Sequence, residues 1–509
     1  MDPEPTLTTN PLGEGGLSLD MASMTIDHGT PMKPSIGESA LDDQNSHSAA
    51  VRPFALEQYF DKYEFCTKYL LCCSDCETVT MDELLKMGGE DAMKMWGSLN
   101  LSYTVAKGLP LLRDEIAQNM YPKTAAGPFN INRDNIVCFA GAEEAIYCCV
   151  KTLLDPSDHM IVVTPCYQSH VSVAETIVGA RNITAVPLQE TNNWHLNMVA
   201  IQKAIRPFQT KALLVNFPHN PTGTSISLQR FKELTELARY HDLYIICDEV
   251  YRGLEPSEDA TGAGNPRLPG IASLYEKGIS IGGLSKSYGM AGLRVGWVAM
   301  ANVQENASNS NHSLFNSIAD LKHYLSICNS GPAEILGVIA LQNTEAIFAR
   351  NSKIVGDNLL ALETFMNKYS KLFSWCGRKN ISGVCCFIQL LFSNNKVSRT
   401  KSENNYVNSN KNTISNAVVT DETTVSPMAN TANMSVDALA EVLVTKYNIL
   451  ILPGSTYYNG NEAPDTAADP NHAPTMPLDT DGYFRMGFGR RDFIENLDRF
   501  ERALEEIFV

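Results

Sequence analysis

Between residues 136 and 300 the sequence alternates short apolar runs with amphipathic stretches of helical length, and this alternation limits the fold more than any other feature. The runs at 136–139, 160–164, 183–187, 212–216, 243–247, 279–281 and 295–300 read as strands. The stretches at 143–154, 168–178 and 228–240 read as helices lying between them. Strands separated by helices build a mostly parallel sheet covered on both faces, so the expected class is α/β. Beyond residue 346 longer helices with a few strands predict a second, smaller α+β domain.

Two polar regions bracket this pattern. Residues 1–51 carry eight carboxylates against one lysine and show no periodicity. Such a segment cannot bury enough apolar surface to offset its ordering entropy, and a disordered acidic tail over 1–52 is expected. The run 393–433, dominated by Asn, Ser and Thr, separates a strand-like segment from a helical one and reads as a surface insertion. The longest apolar stretch, 384–392, is too short to cross a bilayer, which takes about 20 residues. With 40 basic against 57 acidic residues the chain lacks the cationic face that nucleic acid or an anionic membrane requires. The N-terminus has neither the apolar core of a secretory signal nor the arginines of a transit peptide. The 13 cysteines are scattered, as in a protein kept reduced, so a cytoplasmic location is expected. The single CxxC, Cys73 to Cys76, has no second pair beside it, and no metal site is expected.

The chemistry-bearing segments cluster at the ends of the apolar runs. Ser285-Lys286-Ser287-Tyr288-Gly289 follows the run 279–281 and precedes Gly292-Leu293-Arg294. A lysine among small residues is suited to forming a Schiff base, and a cation eight residues on can hold a phosphate. Asn216-Phe217-Pro218-His219-Asn220-Pro221 ends another run, which sets Asn220 to meet a ligand oxygen. Asp248-Glu249-Val250-Tyr251 ends a third, placing a carboxylate at the tip of a parallel strand, where α/β proteins bind ligands. Gly141-Ala142-Glu143 lies between a strand and a helix, where free amides and the helix dipole attract an anion. Pro165-Cys166-Tyr167 offers an aromatic ring.

In this order and spacing, with 28, 38 and 8 residues separating Asn220, Asp248, Lys286 and Arg294, the segments resemble the class I/II aminotransferases, pyridoxal-phosphate enzymes of fold type I. The resemblance covers roughly 53–509 without the insertion. It implies a small domain built from 53–100 and 346–509 around a large cofactor-binding domain at 101–345. It further implies that Lys286 holds pyridoxal 5'-phosphate covalently and shuttles the substrate's proton. Asp248 is then the partner of the pyridine nitrogen, and Asn220 and Tyr251 of the phenolic oxygen. Tyr167 stacks on the ring, and Arg294, Ser285 and the amides of Ala142 and Glu143 bind the phosphate. In Tyr483-Phe484-Arg485-Met486 the arginine matches the residue that clamps the substrate carboxylate; Asn220 assists it. Tyr103 resembles a tyrosine that reaches the phosphate of a second subunit, implying a homodimer with shared sites.

The sequence departs from the family at Gly283, where a hydroxyl residue is common, and at Glu143, where an uncharged residue is. The segment Cys73-Ser74-Asp75-Cys76-Glu77 resembles the substrate-side loop of aminocyclopropane-carboxylate synthases, and it makes Glu77 a candidate at the mouth of the site. The expected activity is amino-group transfer between an amino acid and a 2-oxo acid. The alternative is a lyase (β- or γ-elimination, C–S cleavage) or a cyclase like those synthases, all sharing the same apparatus. A winged-helix regulator would need a basic N-terminal domain, and a nicotinamide enzyme a glycine-rich turn after a strand; the sequence has neither.

Overall fold

A computed structural model of the chain describes residues 51–124, 127–255, 267–301, 313–391, 434–458 and 478–508. The expected tail up to residue 50 and the expected insertion at 393–433 lie outside the described residues.

The described chain opens with helix α1 (Ala55–Tyr63) and strand β1 (Tyr69–Leu70), then α2 (Met81–Gly97) and α3 (Pro110–Met120). Helix α2 starts at a capping box, in which the Thr80 hydroxyl accepts from the Glu83 amide and the Glu83 carboxylate accepts from the Thr80 amide.

A seven-stranded sheet follows: β2 (Ile136–Phe139), β3 (His159–Thr164), β4 (Ile183–Pro187), β5 (Thr210–Asn216), β6 (Tyr244–Asp248), β7 (Gly278–Gly283) and β8 (Gly296–Met300), in the order β2-β8-β7-β6-β5-β3-β4. Strands β4, β3, β5, β6 and β7 run parallel, as the alternation predicts. Strand β8 is antiparallel to both β7 and β2. The segment between β7 and β8 contains no α-helix, only a single 3-10 turn (Ala291–Leu293). A parallel return usually runs through a helix laid on one face of the sheet, and without one the chain here reverses. The sheet is covered on both sides. Val137, Val162, Leu214 and Ile246 face α4 (Ala142–Leu153) and α5 (Ser169–Val178), while Ile161, Leu213 and Ile245 face the helix Leu228–Tyr240.

The rest of the chain forms a second sheet from β9 (Phe373–Ser374), β10 (Cys385–Leu390), β12 (Leu452–Pro453) and β13 (Tyr483–Gly487), all antiparallel. Between them β11 (Ile449–Leu450) leaves this sheet and pairs in parallel with β1. Phe484 and Met486 of β13 point into a core shared with the helices Thr344–Lys368 and Phe493–Phe508, where Phe365, Phe373, Phe484 and Phe500 meet ring to ring. Successive strand residues face opposite ways, so Arg485 points from the other face.

Candidate active site

Register creates the site. In the adjacent strands β5, β6 and β7, Asn216 lies opposite Asp248 and Asp248 opposite Ile281. Their carboxyl ends therefore open side by side, and the loops leaving them carry Asn220, Tyr251, Ser285 and Lys286. These loops, the start of α4, α1 and β13 enclose a cavity of about 480 Å³. Every candidate residue except Tyr103 and Glu77 lines it.

At the floor, Asp248 is buried, and its Oδ2 accepts from Nε2 of His170 at 3.1 Å while Oδ1 accepts from the Val250 amide. His170 is buried as well, and its Nδ1 has no hydrogen-bond partner among the described residues. Placing the proton on Nε2 leaves only a lone pair unmet, the cheaper of the two tautomers. Tyr251 donates to Ser74 Oγ at 3.0 Å, and burial holds its hydroxyl well above the ordinary phenol range. Lys286 is half-buried, and its amine has no hydrogen-bond or ion-pair partner among the described residues. Its loop is pinned instead through the main chain. The Cys76 amide donates to the Lys286 carbonyl at 3.1 Å, and the Asn351 side chain donates to that of Ser287 at 2.8 Å.

One end of the cavity is made for an anion. Helix α4 begins at Ala142 without a side-chain cap, so its first amides are open. Gly141, at φ 91°, lets the Arg294 guanidinium lie against this turn; a Cβ there would collide with it. Arg294 bonds only the Ala291 carbonyl, at 3.2 Å, and no carboxylate pairs with it among the described residues. Glu143 is the expected misfit. It opens onto the cavity, but the protein around it pushes its carboxyl up to about 7, with burial the largest cause. Near neutral pH a large share of this group carries no charge.

The other end holds Arg485, 2 % exposed. Its Nε and Nη2 donate to the Cys72 carbonyl at 3.0 and 2.7 Å, and its Nη1 to Asn220 Oδ1 and Tyr457 Oη at 3.0 and 2.8 Å. Every partner is a neutral oxygen. The Tyr457 hydroxyl in turn donates to Asn220 Oδ1 at 2.8 Å. Cys72 reaches this point because Gly487 allows close approach: a Cβ there would occupy the place of the Cys73 carbonyl.

The structure does not bring Glu77 to the cavity. Its carboxylate accepts the Arg491 amide at 2.8 Å, ahead of the helix Phe493–Phe508, and its carbonyl accepts from Arg350. Of this segment, Ser74 turns inward and Asp75 pairs with Arg490 at 3.0 Å. Spacing does not reveal which way each residue turns. Tyr103 is 83 % exposed on the outer surface. Sequence reasoning missed His170, Tyr457 and the roof of the cavity, formed by Phe54, Leu56, Glu57 and Phe60 of α1 and its approach. The cluster Phe54, Tyr59, Phe60 and Tyr63, directly after the low-complexity tail, was the available signal for the roof.

Residues 72–463 match the family model described as aminotransferase class I and II. Arginine–pyruvate transaminase AruH of Pseudomonas aeruginosa is 34 % identical over 199 residues, covering 39 % of this chain and 48 % of that protein. The chain thus spans about half the length of the first curated relatives it matches. Among solved structures, a PLP-dependent aminotransferase from Streptococcus suis superposes with a TM-score of 0.67 at 22 % identity, over 90 % of this chain and 99 % of that one. The N-succinyldiaminopimelate aminotransferase of Mycobacterium tuberculosis gives 0.63 at 19 % identity, over 90 % and 100 %. These likenesses establish a fold of type I.

Proposed function

The chain belongs to the class I and II aminotransferases, and from that premise we propose that it moves an amino group between an amino acid and a 2-oxo acid with pyridoxal 5'-phosphate in the cavity. The observation that carries the reading is Arg485: a guanidinium sealed from water with only neutral oxygens around it, across one cavity from an unpartnered lysine. A buried cation without a counter-charge is expensive, and a ligand carboxylate would supply one.

The donor set fits the cofactor. Arg294 against the Gly141 turn, with Ser285 and the first amides of α4, suits its phosphate; Asp248, backed by His170, suits a protonated ring nitrogen. Tyr251 and Asn220 suit its phenolic oxygen, and Tyr167 one face of the ring. When bound, the cofactor supplies a carbonyl that condenses with amines and a ring that accepts electrons from the substrate's Cα. Lys286 Nζ would take up the Cα proton of the substrate and later release it, acting as base and then acid. Arg485 fixes the carboxylate, so that the Cα–H bond faces Lys286. His170 and the Val250 amide bond the two oxygens of Asp248 and fix the orientation of its carboxylate.

We divide the chain into a cofactor-binding part, 101–345, and a smaller part, 53–100 with 346–509. A second copy of the chain is proposed to cover Tyr103. Cytoplasmic residence is supported by 13 cysteines that form no disulfide. Among the described residues no helix is long and apolar enough to cross a membrane.

The test is borohydride reduction of the cofactor-loaded protein followed by peptide mapping. The label is expected on Lys286 alone, and Lys286→Ala should lose both label and turnover. Product analysis with amino-acid pools and an added 2-oxo acid separates transfer, which converts the acceptor to its amino acid, from elimination, which releases ammonia. A label on another lysine would overturn the assignment.

A further inference from the structure

We propose that the preferred substrate has a side chain ending in a cation, an ammonium or guanidinium on an aliphatic stem, and that Glu57 selects it. The inference rests on the transamination reading. The other charges in the cavity have tasks: Arg294 meets the phosphate, Arg485 the substrate carboxylate, Lys286 the covalent link, and Asp248 is bonded to His170. Glu57 is left over. It projects from α1 into the cavity, and its Oε1 accepts the Tyr167 hydroxyl at 2.5 Å. No cation pairs with it among the described residues.

Its surroundings define the ligand. Phe54, Leu56 and Phe60 line the same roof, so the carboxylate sits among apolar groups. A methylene stem lying on these faces with a positive head on the carboxylate satisfies both features. The Tyr167 bond steadies Oε1 and leaves Oε2 free to accept. The spacing also suits such a chain. The Phe60 ring lies 5.8 Å from the Arg485 guanidinium, and Glu57 is one turn earlier on the helix, about 5 Å along the same face. Glu57 and Arg485 border the same cavity, so the proposed substrate would present its carboxylate to Arg485 and its side chain to Glu57. An acidic side chain would meet Glu57 as a like charge and be rejected.

Glu57 is exposed on a helix, so its replacement does not threaten the fold. The experiment compares L-arginine with L-citrulline, its neutral isostere, and with L-glutamate. Turnover is followed on the cofactor-loaded full chain with pyruvate as acceptor, and binding by calorimetry on Lys286→Ala. Arginine is expected to exceed citrulline by about tenfold or more, expressed in KM and affinity and not in kcat, and Glu57→Gln should bring the two within about twofold. Glu57→Asp should keep part of the preference. An arginine–citrulline ratio near one in the parent chain, or a ratio unmoved by Glu57→Gln, overturns the proposal. If neutral or acidic amino acids react and cationic ones do not, the proposal falls while transamination stands. If no amino acid yields a 2-oxo acid, transamination falls, and the calorimetric pair still decides the role of Glu57.

Discussion

Arg252 and Arg485 are both sealed inside the protein, 3 % and 2 % exposed, yet they are held by opposite means. Arg252 donates to the Glu249 carboxylate at 2.5 Å, and that carboxylate also accepts from the Ile271 amide and Ser280. Charge and counter-charge are buried together, and the network ties the loop after β6 to its neighbours. Arg485 is as deeply buried and makes four hydrogen bonds, but its partners are a carbonyl, an amide and a hydroxyl. The two regions show that burial and hydrogen bonding do not separate a structural arginine from one proposed to bind a ligand. The counter-charge does, because an uncompensated buried cation costs several kcal/mol that only a ligand can return.

Exchanging the two outcomes is the strongest way to break this comparison. Arg485→Leu should cut kcat/KM for amino acids by about two to three orders of magnitude, in line with 2–5 kcal/mol for removing a buried charge from its partner. Urea midpoints without substrate should stay level or rise, since no buried carboxylate is stranded. A large loss of stability would place Arg485 with Arg252. In the closed network the sign reverses: Glu249→Gln strands Arg252 and should cost about 3–5 kcal/mol of stability, read by urea denaturation. Substrate KM in the surviving folded protein should move little.

A smaller effect sharpens the picture of the Arg485 end. Tyr457→Phe removes a hydroxyl that bonds both Arg485 and Asn220. It should weaken amino-acid binding by about 0.5–1.5 kcal/mol, or roughly two- to tenfold, with kcat near the parent value. An unchanged KM would show that Asn220 and Cys72 position the guanidinium unaided.

The smallest effect concerns pH at the anion seat. The folded Glu143 carboxyl sits above its ordinary value because burial penalises its charged form. Its contribution to stability is thus fully present below the ordinary carboxylate range and is lost as pH rises through about 7. Above that, a charged Glu143 opposes an incoming phosphate. Cofactor affinity should therefore fall more steeply between pH 6 and 8, by up to about tenfold, in the parent than in Glu143→Gln. Equal slopes in equilibrium titrations would remove Glu143 from the seat.

The sheet was legible because each strand is a compact apolar run and β3 to β8 lie beside or close to their neighbours in sequence; β2, which pairs only with β8, is the exception. The direction of β8 was not, since the apolar run at 295–300 has no polarity of its own; the absence of a helix from the connecting segment sets it. Lys286, Asp248 and Asn220 could be read because each stands at the end of such a run. His170 could not: on a helix with Val171 and Ala174 it reads as a core histidine, and only the fold brings it to Asp248. Tyr457 and Glu57 are further cases, since their partners lie hundreds of residues away or across the cavity. Glu77 failed in the other direction, because a local resemblance in sequence carried no information about which face of the segment turns inward.

The pairing of β1 with β11, and of Cys72 with Arg485, also bears on how the protein is made. By the time residue 300 has been added, every strand of the large sheet exists, and so does Lys286. The wall that carries Arg485 does not. At about 5–20 residues per second, the ribosome needs on the order of ten seconds or more to reach residue 485. Through that interval the nascent chain carries a lysine and an anion seat with no closed chamber around them. Nor can closure be fast once the last strand arrives, because it joins segments far apart in sequence, the slow class of folding step. Assembly of the catalytic chamber is therefore a late, long-range event, and mutations at the β1–β11 junction should lower the yield of competent protein more than they lower its final stability.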